Sequence, residues 1–281
     1  VRIDPHTHSA CSDGTDSPAE LMAQAAGAGL DVIGLTDHDT TASWDEAASA
    51  VPATGVALLR GTEISCAAGG VTLHLLSYLH RADDPALNEA FAHARTSRDT
   101  RAQRMVERLS EDYPITWEDV VAHSSDSHTI GRPHIADALV AAGSFPDRNE
   151  AFAGPLATDS PYYVIHWALD PVEACRLVRA AGGVPVAAHP RASSRQRYLV
   201  PDEVFAEMAE AGLAALELDH RDQGPEQREQ VRVLAQRLGL GLSGASDYHG
   251  TGKPNRLGEN LMPPGLLERI LDEGALDLVT P

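Results

Sequence analysis

Asp4-Pro5-His6-Thr7-His8 stands almost at the start of the chain, an Asp-x-His-x-His run led in by Ile3. Side chains alternate faces along a strand, so Asp4, His6 and His8 project together, and two imidazoles at one strand end make half of a transition-metal site. The run decides the fold through its echoes. Thr36-Asp37-His38-Asp39, Glu63, His74, Ala188-His189-Pro190 and Ser246-Asp247-Tyr248-His249 recur along the chain, each in or just after a short apolar stretch.

Those stretches read as strands over residues 2–7, 31–36, 56–65, 71–79, 184–188, 213–218 and 240–244, the third and fourth joined by a Gly69-Gly70 turn. Helical text alternates with them. Ser17-Pro18-Ala19-Glu20 predicts an N-cap with proline in the first turn, and further helices are expected near Trp44, after Pro171, near Asp202 and over 225–238. From Pro85 to about Phe152 the strand signal disappears and helical pattern dominates, broken at Tyr113-Pro114, over 124–128 and over 143–146.

Repeated βα units favour a parallel sheet covered by helices, either open or closed into a barrel. An open sheet gathers ligands at one switch point from two or three strands. Here they fall at the C-terminal ends of nearly every strand, with His74, early in its strand, as the exception. The expectation is therefore an α/β fold: a closed barrel with a helical insertion. Residues 1–84 and 155–281 form the metal-binding barrel, and 85–154 form a substrate-side cap.

His6, His8, Asp13, His38, Glu63, His74, His189, Asp247 and His249 are the candidate ligands. One tetrahedral ion cannot use nine; two or three ions sharing carboxylates can, each keeping an open position. Six other histidines, His80, His93, His123, His128, His166 and His220, lie in text without partners and are read as structural.

The net charge of −19, from 41 acidic and 22 basic side chains, repels long polyanions and argues against duplex nucleic acid as partner. A small phosphorylated substrate remains compatible, because clustered divalent ions invert the local potential. No stretch of about 18 apolar residues predicts a membrane span, and Val1-Arg2-Ile3-Asp4 lacks a signal-peptide pattern. Three widely spaced cysteines, Cys11, Cys66 and Cys175, argue against a disulfide framework and for a cytoplasmic protein.

The run Asp4-x-His6-x-His8 with Ser12-Asp13-Gly14, then Leu35-Thr36-Asp37-His38-Asp39, Gly61-Thr62-Glu63, Ala188-His189-Pro190 and Ser246-Asp247-Tyr248-His249 resembles the PHP (polymerase and histidinol phosphatase) family. The likeness runs from residue 4 to residue 249 and is strongest to the stand-alone bacterial phosphoesterases of that family, within the amidohydrolase superfamily. It implies that the barrel is a distorted (β/α)7 TIM-like barrel, with a trinuclear site at its mouth. His6, His8, Glu63 and Asp247 would hold the first ion. Glu63 would bridge to a second, completed by His74 and His189, and Asp13, His38 and His249 would hold the third. Where some members carry histidine, Asp13 offers a harder ligand, which tilts preference from zinc toward manganese or iron.

Such a centre would attack a phosphomonoester with a metal-bridging hydroxide, held by Glu63 and Asp247, without a protein nucleophile. Arg132, His134 and Arg191 are the expected phosphate contacts. Arg95, Arg98, Arg101, Arg104 and Arg108, three or four residues apart, share a broad helix face, from which Arg98 would grip a second phosphate. The resemblance points to a nucleotide substrate, a 3′,5′-bisphosphate or the 5′ end of a short RNA. Histidinol phosphate or a cyclic phosphodiester is the alternative, and a non-enzymatic metal-binding module a third reading that the full ligand set disfavours. Lys253, the only lysine, stands in a glycine-rich loop, so a carboxylated-lysine bridge is not expected. Asp4 would orient a ligand imidazole.

Overall fold

The structure, a computed structural model, describes residues 1–124, 130–164, 167–195 and 198–281. His128 and His166 lie outside the described residues. One curled sheet runs in chain order: β1 (Ile3–Thr7), β2 (Val32–Leu35), β3 (Ala57–Ala68), β4 (Val71–Tyr78), β5 (Val184–Ala188), β6 (Ala215–Asp219) and β7 (Gly241–Gly244). Strands β1 to β3 are parallel, as are β5 to β7. The expected parallel sheet is corrected at one strand: β4 is antiparallel to both β3 and β5. Gly69 and Gly70, with φ of 56° and 83°, make the tight turn that reverses it.

The end of β1 meets the chain just beyond β7. His8 N donates to Tyr248 O and Asp247 N to His6 O, and Thr7 bridges Tyr248. These bonds lace the sheet across the end where the histidines lie.

Helix α1 (Pro18–Gly27) starts at a Ser17–Glu20 capping box, as its sequence predicts, and α2 (Trp44–Thr54) ends on Gly55 in the left-handed region. Four helices follow β4: α3 (Pro85–Leu109), α4 (Trp117–Ala122), α5 (Arg132–Ala141) and α6 (Arg148–Ala153). Then come α7 (Pro171–Ala180), capped by Asp170, α8 (Asp202–Glu210), α9 (Pro225–Leu238) and α10 (Pro264–Glu273). The last of these was not foreseen.

Apolar side chains form separate interiors. Ile33, Leu35 and Leu58 pack under α1 and α2, while Leu75, Ala187 and Leu216 pack under α7 to α9. Helices α3 to α6 have a core of their own, with Met105, Leu109, Ile135 and Leu139, which continues to Leu156 and Val164, past residue 154. Burying one such side chain contributes roughly 1.5–3 kcal/mol, enough to keep this helical layer packed beside the sheet. No described helix is long and apolar enough to cross a membrane.

Candidate metal centre

All nine expected ligands come together at one end of the sheet. His6 lies one residue before the end of β1 and His8 just after it; His38, His189, Asp247 and His249 lie just beyond β2, β5 and β7. Glu63 is mid-strand in β3 and reaches the same place because β3 is long. His74 ceases to be an exception once β4 is seen to run backwards. An early residue of an antiparallel strand lies at the same end as late residues of its parallel neighbours, and His74 pairs with Ser65 and Ala188.

Glu63 is at the centre. Its Oε2 lies 3.0 Å from His8 Nε2, 3.3 Å from His6 Nε2 and 3.4 Å from His38 Nδ1. Its Oε1 lies 2.8 Å from His74 Nδ1 and 3.4 Å from His189 Nε2. The two oxygens thus face different imidazoles, the shape of a bridging carboxylate. Asp247 Oδ1 is 3.5 Å and 3.6 Å from the His6 and His8 Nε2 atoms. Asp13 is 3.2 Å from His249 Nε2, 3.5 Å from His8 Nδ1 and 3.8 Å from His38 Nε2.

Three ligand groups follow from these distances: His8 with Asp13, His38 and His249; His6 with His8 and Asp247; and His38 with Glu63 and His74. His38 is common to two of them, where the family resemblance gave it to one ion only. The donor set fits divalent ions. Glu63 Oε1, His74 Nδ1 and His249 Nε2 are buried and, although they stand 2.8 Å and 3.2 Å from opposite partners, make no aligned hydrogen bond, an arrangement that a bound ion would satisfy. Asp39, His189 and Asp247 also hold positive φ angles of 52°, 28° and 54°, backbone strain of the kind that gathers at functional sites.

Ligation needs neutral imidazole and ionised carboxylate, and the surroundings favour those forms at several of these residues. Burial, aided by Arg98, holds His38 well below its ordinary range, and burial with Arg195 does the same to His189. Burial and Lys253 bring His249 down to about 4. Burial works against the charges of Asp13, Glu63 and Asp247, but the surrounding histidines at Asp13 and Glu63, and Lys253 and Arg195 at Asp247, overcome it and hold all three well below the carboxylate range. His6 is the opposite case: burial disfavours its cation, yet the Glu63 and Glu217 carboxylates raise it well above the usual value.

Several participants were not anticipated. Glu217 Oε1 lies 2.9 Å from His6 Nδ1, and its Oε2 accepts the His189 N–H. The signal was present, since Leu216-Glu217-Leu218 places a carboxylate inside an apolar strand. Arg195 reaches Asp247 Oδ2 at 2.5 Å and His189 Nε2 at 2.9 Å, and Lys253 Nζ lies 3.1 Å from the same Asp247 oxygen. His220, read as structural, is fully buried with Nε2 3.4 Å from Asp247 Oδ2. Asp4 does not orient an imidazole by hydrogen bonding; its carboxylate accepts the Ser246 and Gly258 N–H groups and pins the loop that carries Asp247.

The expected phosphate contacts divide. Arg98 extends to the centre, donating to Ser65 Oγ and lying 3.2 Å from His38 Nδ1 and 3.4 Å from Asp39. Arg132 is held by Leu156 O and by the faces of Phe152 and Tyr163 rather than by a carboxylate. His134 is buried and accepts the Gly131 N–H at Nδ1, while Asp13 is among the charges that bear on it. Arg191 is corrected: its guanidinium is committed to Val200 O, Asp202 and the Phe205 face, and to no candidate ligand. Asp202 lies at the start of α8, so local pairing outcompeted the reach that its sequence position suggested.

A family model described as the PHP domain matches residues 4–136. The 3′,5′-nucleoside bisphosphate phosphatase of Chromobacterium violaceum is 30% identical, over 91% of this chain and 90% of that protein. A 5′-3′ exoribonuclease of Haemophilus influenzae is 29% identical over 92% of this chain and 94% of that one. Among solved structures, a Bifidobacterium adolescentis protein assigned as a metal-dependent phosphoesterase superposes with a TM-score of 0.94 at 45% identity, covering 97% of this chain and 96% of that one.

Proposed function

The chain belongs to the PHP family of metal-dependent phosphoesterases, and from that premise we propose that it hydrolyses phosphate esters of nucleotides, at a 3′,5′-bisphosphate or at the 5′ end of a short RNA. One observation carries the reading: a buried cluster of imidazoles and carboxylates adjoins arginines that are not all tied to carboxylates. Two of its relatives are a nucleoside bisphosphate phosphatase and an exoribonuclease, which supports the nucleotide.

In this reading three divalent ions, of manganese, iron or zinc, are held by this chain. His6, His8, Glu63 and Asp247 hold one; Glu63, His74 and His189 a second; Asp13, His38 and His249 a third. When bound, such ions withdraw charge from a phosphoryl group and lower the pKa of water toward ~7. Everything else is done by the chain. Arg98 and Arg132, with His134 from α5, take the phosphate oxygens, and planar guanidinium forks suit that task. Arg195 and Lys253 hold Asp247 ionised and in place. Residues 1–84 and 155–281 act as a TIM-like barrel that fixes the ligands, and 85–154 act as the cap that meets the substrate.

The test is metal removal. Stripping the protein with a strong chelator, verified by elemental analysis, abolishes release of phosphate or nucleotide from these substrates, and manganese restores it. Full activity in verified metal-free protein would defeat the reading.

A further inference from the structure

Helix α3 leaves the metal centre as a ladder of arginines. Arg95 donates to Asp39 O, Arg98 touches Ser65 and His38, and Arg108 holds the carbonyls of Pro161 and Tyr163. Between them Arg101 is buried beside Tyr163, Arg132 and Arg98; burial and those two like charges push it down to about 9, with Tyr163 opposing. Crowded cations of this kind are stabilised by an anion.

Arg101 has a second exposure to chemistry. With Arg104, His93, Trp167 and the hydroxyl-bearing face of α3 it lines a cavity of about 330 Å³, near the lower end of the range for small-molecule sites. The Trp167 indole stacks on the His93 ring, centroids 3.9 Å apart at 13°. The backbone N–H of Trp167 donates to Ser97 Oγ at 2.8 Å. Trp167 nevertheless stays 37% exposed. An indole fixed by one aromatic partner and open toward a cationic cavity is a platform for a base.

The spacing suits a chain of nucleotides. Six residues at about 1.5 Å rise separate Arg98 from Arg104 by roughly 9 Å along α3, of the order of one extended nucleotide. A bare phosphate would leave the indole unused, and an apolar ligand would leave the Arg104 guanidinium unused. On a surface of net charge −19, two arginines beside an aromatic pair select an anion that carries a ring.

Resting on the nucleotide reading above, we propose that this cavity is a subsite for the second nucleotide of an oligonucleotide substrate, its base stacked on Trp167 and its phosphate held at Arg101 and Arg104. The site would then favour a short single strand over a mononucleotide.

The probes are a 5′-thiophosphorylated mononucleotide and the matching dinucleotide with a phosphorothioate linkage, titrated against the metal-loaded enzyme. The dinucleotide binds about tenfold tighter, the return of one stacked base. Trp167→Ala reduces that advantage to within about twofold, while Trp167→Phe keeps most of it, and neither changes mononucleotide affinity. Arg104→Ala shrinks the advantage and flattens its salt dependence. Equal affinity of the two probes in the native enzyme, or an undiminished advantage in Trp167→Ala, overturns the subsite. If mononucleotides are bound and hydrolysed without a dinucleotide advantage, the subsite alone falls. If neither probe binds and no nucleotide is hydrolysed, the nucleotide reading falls with it.

Discussion

Glu217 shows how much one side chain can organise. Through Oε1 it fixes His6, and through Oε2 it holds the backbone turn that presents His189, so two candidate ligands from different strands depend on one carboxylate. Partners of that kind typically contribute 10–100-fold in metal affinity. Glu217→Ala is therefore expected to weaken metal binding by about that factor in a competition titration with a chromogenic chelator; unchanged affinity would show that His6 is oriented by other means. His80 is the contrasting case, a buried histidine with a structural role, resting against Trp44 and Phe91 with Nδ1 2.8 Å from Ser77 Oγ. Burial brings its pKa from 6.5 down to about 4, against smaller raising effects of Ser77 and Asp84. Between those values the unfolded chain takes a proton that the folded chain refuses. Its contribution is thus complete above pH 6.5 and is lost as pH falls toward about 4, amounting to about 3 kcal/mol. His80→Gln should flatten the fall in urea stability between pH 7 and 4.5 relative to the native chain; parallel curves would contradict this.

At the scale of elements, strand direction and close approach build the mouth. The reversal of β4 brings His74 to the ligand end, and the length of β3 lets Glu63 reach it from mid-strand. Strands β1 and β2 can lie side by side at their narrowest only because Gly34 has no side chain. A Cβ there would stand 2.0 Å from Pro5 O and 2.5 Å from Pro5 C, and neither backbone atom can yield without moving His6. Gly34→Ala should therefore cost roughly 3 kcal/mol, read as a lowered urea midpoint. A native midpoint would mean that β1 shifts freely, which the bonds from Asp247 N and His8 N argue against. Helix α3 works differently: its arginines reach the site from outside the sheet, so changes on its cavity-facing side should tune substrate choice rather than fold.

In the whole molecule, what could be read from the chain was what is local in the chain. The nine candidate ligands were legible because most lie in motifs of a few residues of distinctive chemistry at or near a strand end, and the cap at Ser17 and the proline-led helices were legible for the same reason. The Gly69-Gly70 turn announced a hairpin, yet the parallel alternation around it hid what the reversal does for His74. Ligand types, family and the α/β alternation were thus determined by the sequence alone, since strand periodicity, turn residues and metal-binding side chains act over short spans. Only the tertiary structure decided that Glu217 supports His6 across 211 positions, that His220, Arg195 and Lys253 crowd Asp247, and that Arg191 turns to Asp202. Those contacts depend on which buried charges find one another once distant strands meet. A buried carboxylate must be paired wherever the fold brings a partner, and no local spacing records that choice.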